Sequence, residues 1–322
     1  LAYLVKTNSL MEQKLVMAHV FGHADFFRHN IWFAPTDRHM VARMEHHGER
    51  VAHWMGRLGR TAVERFLDRV LALDTLLDPY QPQRERWNPG AAASPYDLLE
   101  FLARKAPLEE WQVELVRMVR TEATYFLPQR QTKILNEGWA SYWHSKLLTG
   151  GILDDSEIVE FSDCHAGATA DTNGLNPYKL GLELFRSAER AGEDLFALRR
   201  KHNDLSFLDE WVDADFARTS TFFARQMVQG KAWQDVKEAL LQSLAWCGTP
   251  QIRVRNLDAE PGQVWQLEHV HDGRDLHQED AMVILGDLAR LWGSPVVLAT
   301  KLAGNAVEWR VDPNEVAESG AA

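Results

Sequence analysis

Ser9 opens a stretch whose residues fit a helix better than anything else. Ser9 and Glu12 have the spacing of a reciprocal capping box, and Leu10, Lys14, Leu15, Met17, Ala18 and Phe21 carry a helical period on to about Arg28. Inside this helix His19 and His23 stand four apart, in His19-Val20-Phe21-Gly22-His23. Residues so spaced share one helix face about a turn apart, so both rings can aim at one ion. A second helix, from Thr132 to about Leu148 and ended by Gly150-Gly151, carries Asn136-Glu137-Gly138-Trp139-Ala140.

Two imidazoles from one helix and a carboxylate from another make the three-ligand site of zincin-type zinc hydrolases, with one position left for water. The usual zincin helix reads His-Glu-x-x-His, with the Glu as general base, and here Val20 stands in that place. Either the proton-transfer group comes from elsewhere or the metal does something other than activate water. Taken alone, His19 and His23 are also read as ordinary helix histidines, and Glu137 as an exposed carboxylate or a partner of Arg130 or Lys133. Gly138, however, lets another backbone come close, and His144 follows Glu137 on the same helical face. A Glu buried among Trp139, Tyr142 and Trp143 is costly unless paired or bound to metal.

Further candidates lie outside these helices. His165, in Asp163-Cys164-His165-Ala166-Gly167, falls in what reads as a loop, where functional residues concentrate. Cys164 and His165 are adjacent and therefore point apart, which disfavours a thiol nucleophile. Asn173-Gly174-Leu175-Asn176-Pro177-Tyr178 reads as a turn into a helix, with Asn176 and Tyr178 as substrate-binding candidates or as a cap and a core aromatic. Glu12 shares the face of His19, though its cap role is the simpler account. His46, His47, His53, His269 and His271 read as surface. No phosphate loop and no Gly-x-Gly-x-x-Gly occurs, and paired Glu-x-x-His motifs for a di-iron bundle are missing.

The remaining pattern is mainly helical. Residues 37–76 read as one long helix or a broken pair, 78–95 as the most irregular loop, and Ser94-Pro95 as the start of a helix that Pro107 ends. Leu108 to Phe126 reads as a helix broken by Pro128, and helices continue over 178–200 and 220–245. The tail alternates: strands at 252–254 and 264–270, a helix from Gln278 to Trp292, and strands at 296–299 and 307–311 about a Gly304-Asn305 turn. The expectation is a helical metal-site domain over 1–248 and a small ββαββ domain over 249–322.

A net charge of −11 with scattered Lys and Arg offers little attraction to nucleic acid or anionic lipid. Two cysteines, Cys164 and Cys247, are too few for a disulfide framework and fit a reducing, cytoplasmic setting. No apolar run is long enough for a membrane span. The chain opens on Leu1-Ala2-Tyr3-Leu4-Val5, without Met, as though inside an apolar element with a portion upstream.

Four motifs in order resemble the SpoVR family (stage V sporulation protein R): residues 15–27 around His19 and His23, Tyr125-Phe126-Leu127-Pro128-Gln129, residues 136–144 around Glu137, and Asn176-Pro177-Tyr178-Lys179-Leu180-Gly181. Leu291-Trp292-Gly293 is similar to the family's end. The resemblance implies a bacterial, cytoplasmic protein linked to sporulation, spore cortex or cell-wall physiology. It also implies a serine protein kinase and a von Willebrand-type-domain protein as partners, and an N-terminal portion before this segment. Cys164 departs from the Ser expected beside His165.

Together these readings predict a zincin-like helical body in which His19, His23 and Glu137 bind a divalent metal, zinc foremost. His144 and His165 are the catalytic candidates, and Asn176 and Tyr178 face substrate, a peptidoglycan-related amide by the family's biology. The rival reading is a non-catalytic, metal-stabilised regulatory or scaffold protein acting with the kinase. A redox metal site using the histidines is a third.

Overall fold

A computed structural model describes residues 3–90, 92–170 and 174–314. The chain divides into two compact units: residues 1–36 with 128–247, and residues 37–127 with 248–322. A helical body followed by a small α/β domain is the order along the chain, but in space the sheet shares its core with residues 37–127.

The first unit holds α1 (Leu10–His29). After the division falls within α6 (Glu110–Gln131), it continues with α7 (Lys133–Leu147), α8 (Ile158–Ala168), α9 (Pro177–Arg190), α10 (Leu195–Lys201), α11 (Asp204–Trp211), α12 (Ala214–Thr219), α13 (Thr221–Val228) and α14 (Trp233–Leu244). The capping box of α1 is present as expected: Glu12 N–H donates to the Ser9 hydroxyl and Ser9 N–H donates to Glu12 Oε2 at 2.7 Å. Glu12 is spent there. Helix α7 has no side-chain cap from its own flank. Instead the wholly buried Asp204 carboxylate accepts from the Ile134 and Leu135 amides at 2.9 and 2.8 Å, and burial pushes its pKa up to about 7. The core of this unit gathers Phe26, Trp139, Leu184, Phe185, Phe207 and Phe223.

Several expectations change here. The segment bearing His165 is α8, not a loop, because Phe161 on its inner face packs with Met11, Ala18 and Leu148. Helix α6 runs on past Pro128 to Gln131, and the Thr132 hydroxyl closes on the Pro128 carbonyl at 2.7 Å. The missing N–H of Pro128 costs one helical bond without ending the helix. Residues 178–200 and 220–245 are broken into shorter helices. Tyr3–Val5 form neither helix nor strand, and Leu1, Ala2 and Asn173 lie outside the described residues.

The second unit opens with α2 (Met40–Leu58) and α3 (Arg60–Leu71), broken at Gly59, then α4 (Gln81–Trp87) within the stretch expected to be irregular, and α5 (Leu98–Lys105). Asp97, not Ser94, caps α5, since its carboxylate accepts from Glu100 N–H while the Ser94 hydroxyl bonds Asp78. Strands β1 (Ile252–Val254), β2 (Trp265–His269), β3 (Val296–Leu302) and β4 (Asn305–Val311) lie in that order, with α15 (Gln278–Trp292) between β2 and β3. The outer pairs are antiparallel and β2–β3 is parallel, so the ββαββ reading of the tail holds. Leu267, Leu285, Leu288 and Leu298 join Val63, Phe66, Leu99 and Leu115 in one core, with Phe101 stacked on Trp265 at 5.1 Å. His269 is not on the surface: it is buried on the inner sheet face and its Nδ1 bonds Thr300 Oγ1 at 2.9 Å. His47 is also largely covered and bonds Glu122.

The β3–β4 turn is centred on Ala303-Gly304, one residue earlier than expected, and both residues have positive φ (49° and 82°). Such a two-residue hairpin favours Asn at the first place, where a residue with a Cβ is otherwise strained. Ala303→Asn is expected to stabilise the second unit by about 0.5–1 kcal/mol. Urea denaturation measures this, and an unchanged or lower midpoint contradicts it.

Candidate metal centre

Glycines set how closely the three helices of the site can approach. A Cβ at Gly22 would lie 2.7 Å from Ala140 Cα, so α1 crosses α7 there with its backbone nearly touching. Gly22 is one residue before His23, and Ala140 is three residues after Glu137. Gly138 and Gly181 likewise face each other where α7 crosses α9, leaving no room for a Cβ on either. These contacts bring Glu137 under the two histidines and Tyr178, at the start of α9, over His19, with ring centroids 6.0 Å apart.

His19 Nε2 and His23 Nε2 each stand 3.4 Å from Glu137 Oε2, and one ligand atom from each residue lies within 4.8 Å of the others. Glu137 Oε2 is buried and makes no hydrogen bond. Tetrahedral zinc with N and O arms of about 2.1 Å has ligand atoms roughly 3.4 Å apart, which is the separation of each ring nitrogen from Glu137 Oε2. The rings are held from behind. His23 Nδ1 bonds Asn136 Oδ1 at 2.9 Å, and His19 Nδ1 meets His144 Nδ1 at 3.0 Å. Such far-side bonds fix the tautomer of a ligating imidazole and free its other nitrogen. The residues therefore fit a divalent cation.

From His19 the chain of rings continues outward. His144, 4 % exposed, reaches His165 Nδ1 with its Nε2 at 2.9 Å, and His165 stacks on Phe161. If His19 Nε2 carries a lone pair, its Nδ1–H donates to His144 Nδ1. His144 then donates from Nε2 to His165, whose own proton sits on Nε2. Burial, with the neighbouring His19, His165 and His23, drops the His144 pKa to about 3, so that ring stays neutral. Burial also lowers His23, and burial with nearby Arg186 lowers His165. Burial works to raise Glu137, but the contacts with His19 and His23 and a bond from Tyr178 leave it below the ordinary carboxylate range. Tyr178 is raised by burial and by that carboxylate.

Asn176 is fully used by the fold. Its Oδ1 caps α9 through the Tyr178 and Lys179 amides, and its Nδ2 donates to Ala168 and Ala170 carbonyls. Of the two substrate candidates, Tyr178 is the one at the cluster. Cys164 packs against the small core under α8. Sequence reasoning did not mark Asn136 as a support for His23, although its place beside Glu137 was visible. No helix among the described residues is long and apolar enough to cross a membrane.

Comparison with known proteins agrees with the motif order. The family described as "SpoVR like protein" matches residues 1–94 and 90–249, and the "SpoVR-like C-terminal domain" matches 250–303. A relative in Escherichia coli (strain K12), "Uncharacterized protein YcgB", is 25% identical over 395 aligned positions that cover 96% of this chain and 78% of that protein. No solved structure matches the chain. On matches that span nearly all of its length, the chain belongs to the SpoVR family.

Proposed function

We propose that His19, His23 and Glu137 hold a divalent cation, zinc foremost, and that the zincin-like donor set acts on an amide bond of a peptide of the peptidoglycan type. One observation carries the metal reading: a buried carboxylate oxygen without a hydrogen bond faces two imidazole nitrogens, each ring tied at its far side. A cation bound there supplies a Lewis acid for a carbonyl oxygen and for water. The chain's own groups do the rest. Asn136 and His144 orient the ligating rings, Tyr178, its hydroxyl donating to Glu137, presents its phenol oxygen to a substrate N–H, and His144 and His165 hold a proton path between His19 and the partly exposed edge of α8. The substrate class, a cytoplasmic setting, a link to sporulation, and a serine protein kinase and von Willebrand-type-domain protein as partners come from the family resemblance and complete the proposal.

The second reading is a non-catalytic regulatory or scaffold protein stabilised by the same metal. Val20 favours it, together with the fact that Glu137 is the one carboxylate in the cluster among the described residues.

Protein purified without chelator is expected to carry stoichiometric metal, lost in His19→Ala and Glu137→Gln and kept in Asn176→Ala. Metal retained in both ligand variants removes this ligand set. With metal present, chelator-sensitive turnover of cell-wall peptides supports the hydrolase, and inactivity of the metal-loaded chain toward them favours the scaffold.

A further inference from the structure

In the second unit the inner sheet face and α15 do not close on each other completely. Between them and the end of α3 lies a half-open cavity of about 340 Å³, walled by Ile252, Leu267, Leu276, Leu285, Leu288 and Leu298. Protein interiors are close-packed, and voids larger than a water molecule are few. This one is many times the ~10–15 Å³ that a single water needs, yet its polar side chains are only Thr75, His277 and Asp280. The His277 and Asp280 side chains are 68% and 82% exposed and mark the solvent edge. The volume lies within the ~300–1,000 Å³ of small-molecule sites, which are mostly apolar with a few placed polar groups.

The walls and rim together define a ligand. No Phe, Tyr or Trp lines the space, so its interior suits a flexible aliphatic chain. At the rim Asp280 pairs with His277 Nδ1 at 3.0 Å. A ligand carboxylate would meet the like charge of Asp280 there, whereas a hydroxyl or ammonium can donate to it. We infer that this cavity binds a single aliphatic chain that ends in a hydrogen-bond donor, an alcohol or amine, with the chain among the leucines and the end at Asp280. The site is separate from the metal centre and does not depend on its chemistry.

Three ligands of equal chain length test this on the full chain by titration calorimetry: 1-decanol, decylamine and decanoate. The alcohol and amine are expected to bind at least tenfold more tightly than decanoate. Ala281→Trp, at a partly exposed wall position, is expected to weaken all binding at least tenfold. Asp280→Asn is expected to erase the discrimination against decanoate, and its exposed position keeps the inference testable should Ala281→Trp not fold. Absence of binding by both alcohol and amine, or undiminished binding to folded Ala281→Trp, overturns the site. Equal binding of all three ligands to the unaltered chain overturns the assignment of the end group.

Discussion

Gly181→Ala is expected to destabilise the first unit by about 3 kcal/mol or more and to dismantle the metal centre with it. The added methyl would fall on the Ile134 carbonyl oxygen and within 2.6 Å of Gly138 Cα. Both obstacles are backbone of the packed helix α7, so neither can swing aside as the end of a side chain would. Relief requires α9 to move off α7, which shifts Tyr178 away from Glu137 and loosens the core around Phe185. For a unit of this size each 1 kcal/mol lowers Tm by roughly 2–4 °C, so a fall near 10 °C is expected with loss of bound metal. Gly56→Ala is the contrasting case. Gly56 lies exposed within α2 with nothing near its missing Cβ, and there the same change should stabilise by about 0.5–1 kcal/mol. Calorimetric melting of both variants decides; a Gly181→Ala chain that melts with the unaltered protein would mean that α7 and α9 do not cross so closely.

The second large effect is a pH dependence hidden by cancellation. His144 has its pKa lowered to about 3 in the fold, so the native state binds fewer protons than the unfolded chain between pH 6.5 and 3. Its contribution is whole above pH 6.5 and is lost as pH falls toward 3, at up to ~1.4 kcal/mol per pH unit. Asp204 is raised to about 7, so it has the opposite sign: its contribution is whole below pH 3.8 and is lost as pH rises through 7. Over the shared window the two slopes oppose. Asp204→Asn should therefore lose stability on acidification more steeply than the unaltered chain, by about 1 kcal/mol per pH unit, and His144→Phe should lose it less steeply. Denaturant midpoints at pH 6.5, 5.5 and 4.5, measured with chelator, give the slopes. Parallel curves for all three proteins would refute the assignment of these two groups.

Local signals in the sequence marked α1, α15 and the ββαββ tail because cap, period and alternation agreed within each segment. The convergence of His19, His23 and Glu137 was legible as chemistry, since only a shared ion or an ion pair accounts for a carboxylate among tryptophans. What stayed hidden depends on distant partners. Asp204 caps a helix 70 positions away, and no local pattern around Thr132 announces it. The segment Asp163-Cys164-His165-Ala166-Gly167 reads locally as a loop, whereas packing of Phe161 and Cys164 with Met11 and Leu148 holds it as helix. Ser94 seemed the cap of α5 until Asp78 is seen to take its hydroxyl. His269 alternates like a surface residue, but Thr300 across the sheet provides the bond that burial demands.

The family boundary at residues 249–250 is where a molecular biologist would cut the gene. Yet Val63, Phe66, Leu99 and Leu115, all encoded before that point, have their apolar partners Leu267, Leu288 and Trp292 after it. A shortened product ending there would carry a greasy half-surface in search of a cover, and the excised tail would carry its mate. Expressed apart, each piece should form aggregates; mixed during refolding, they should recover one another.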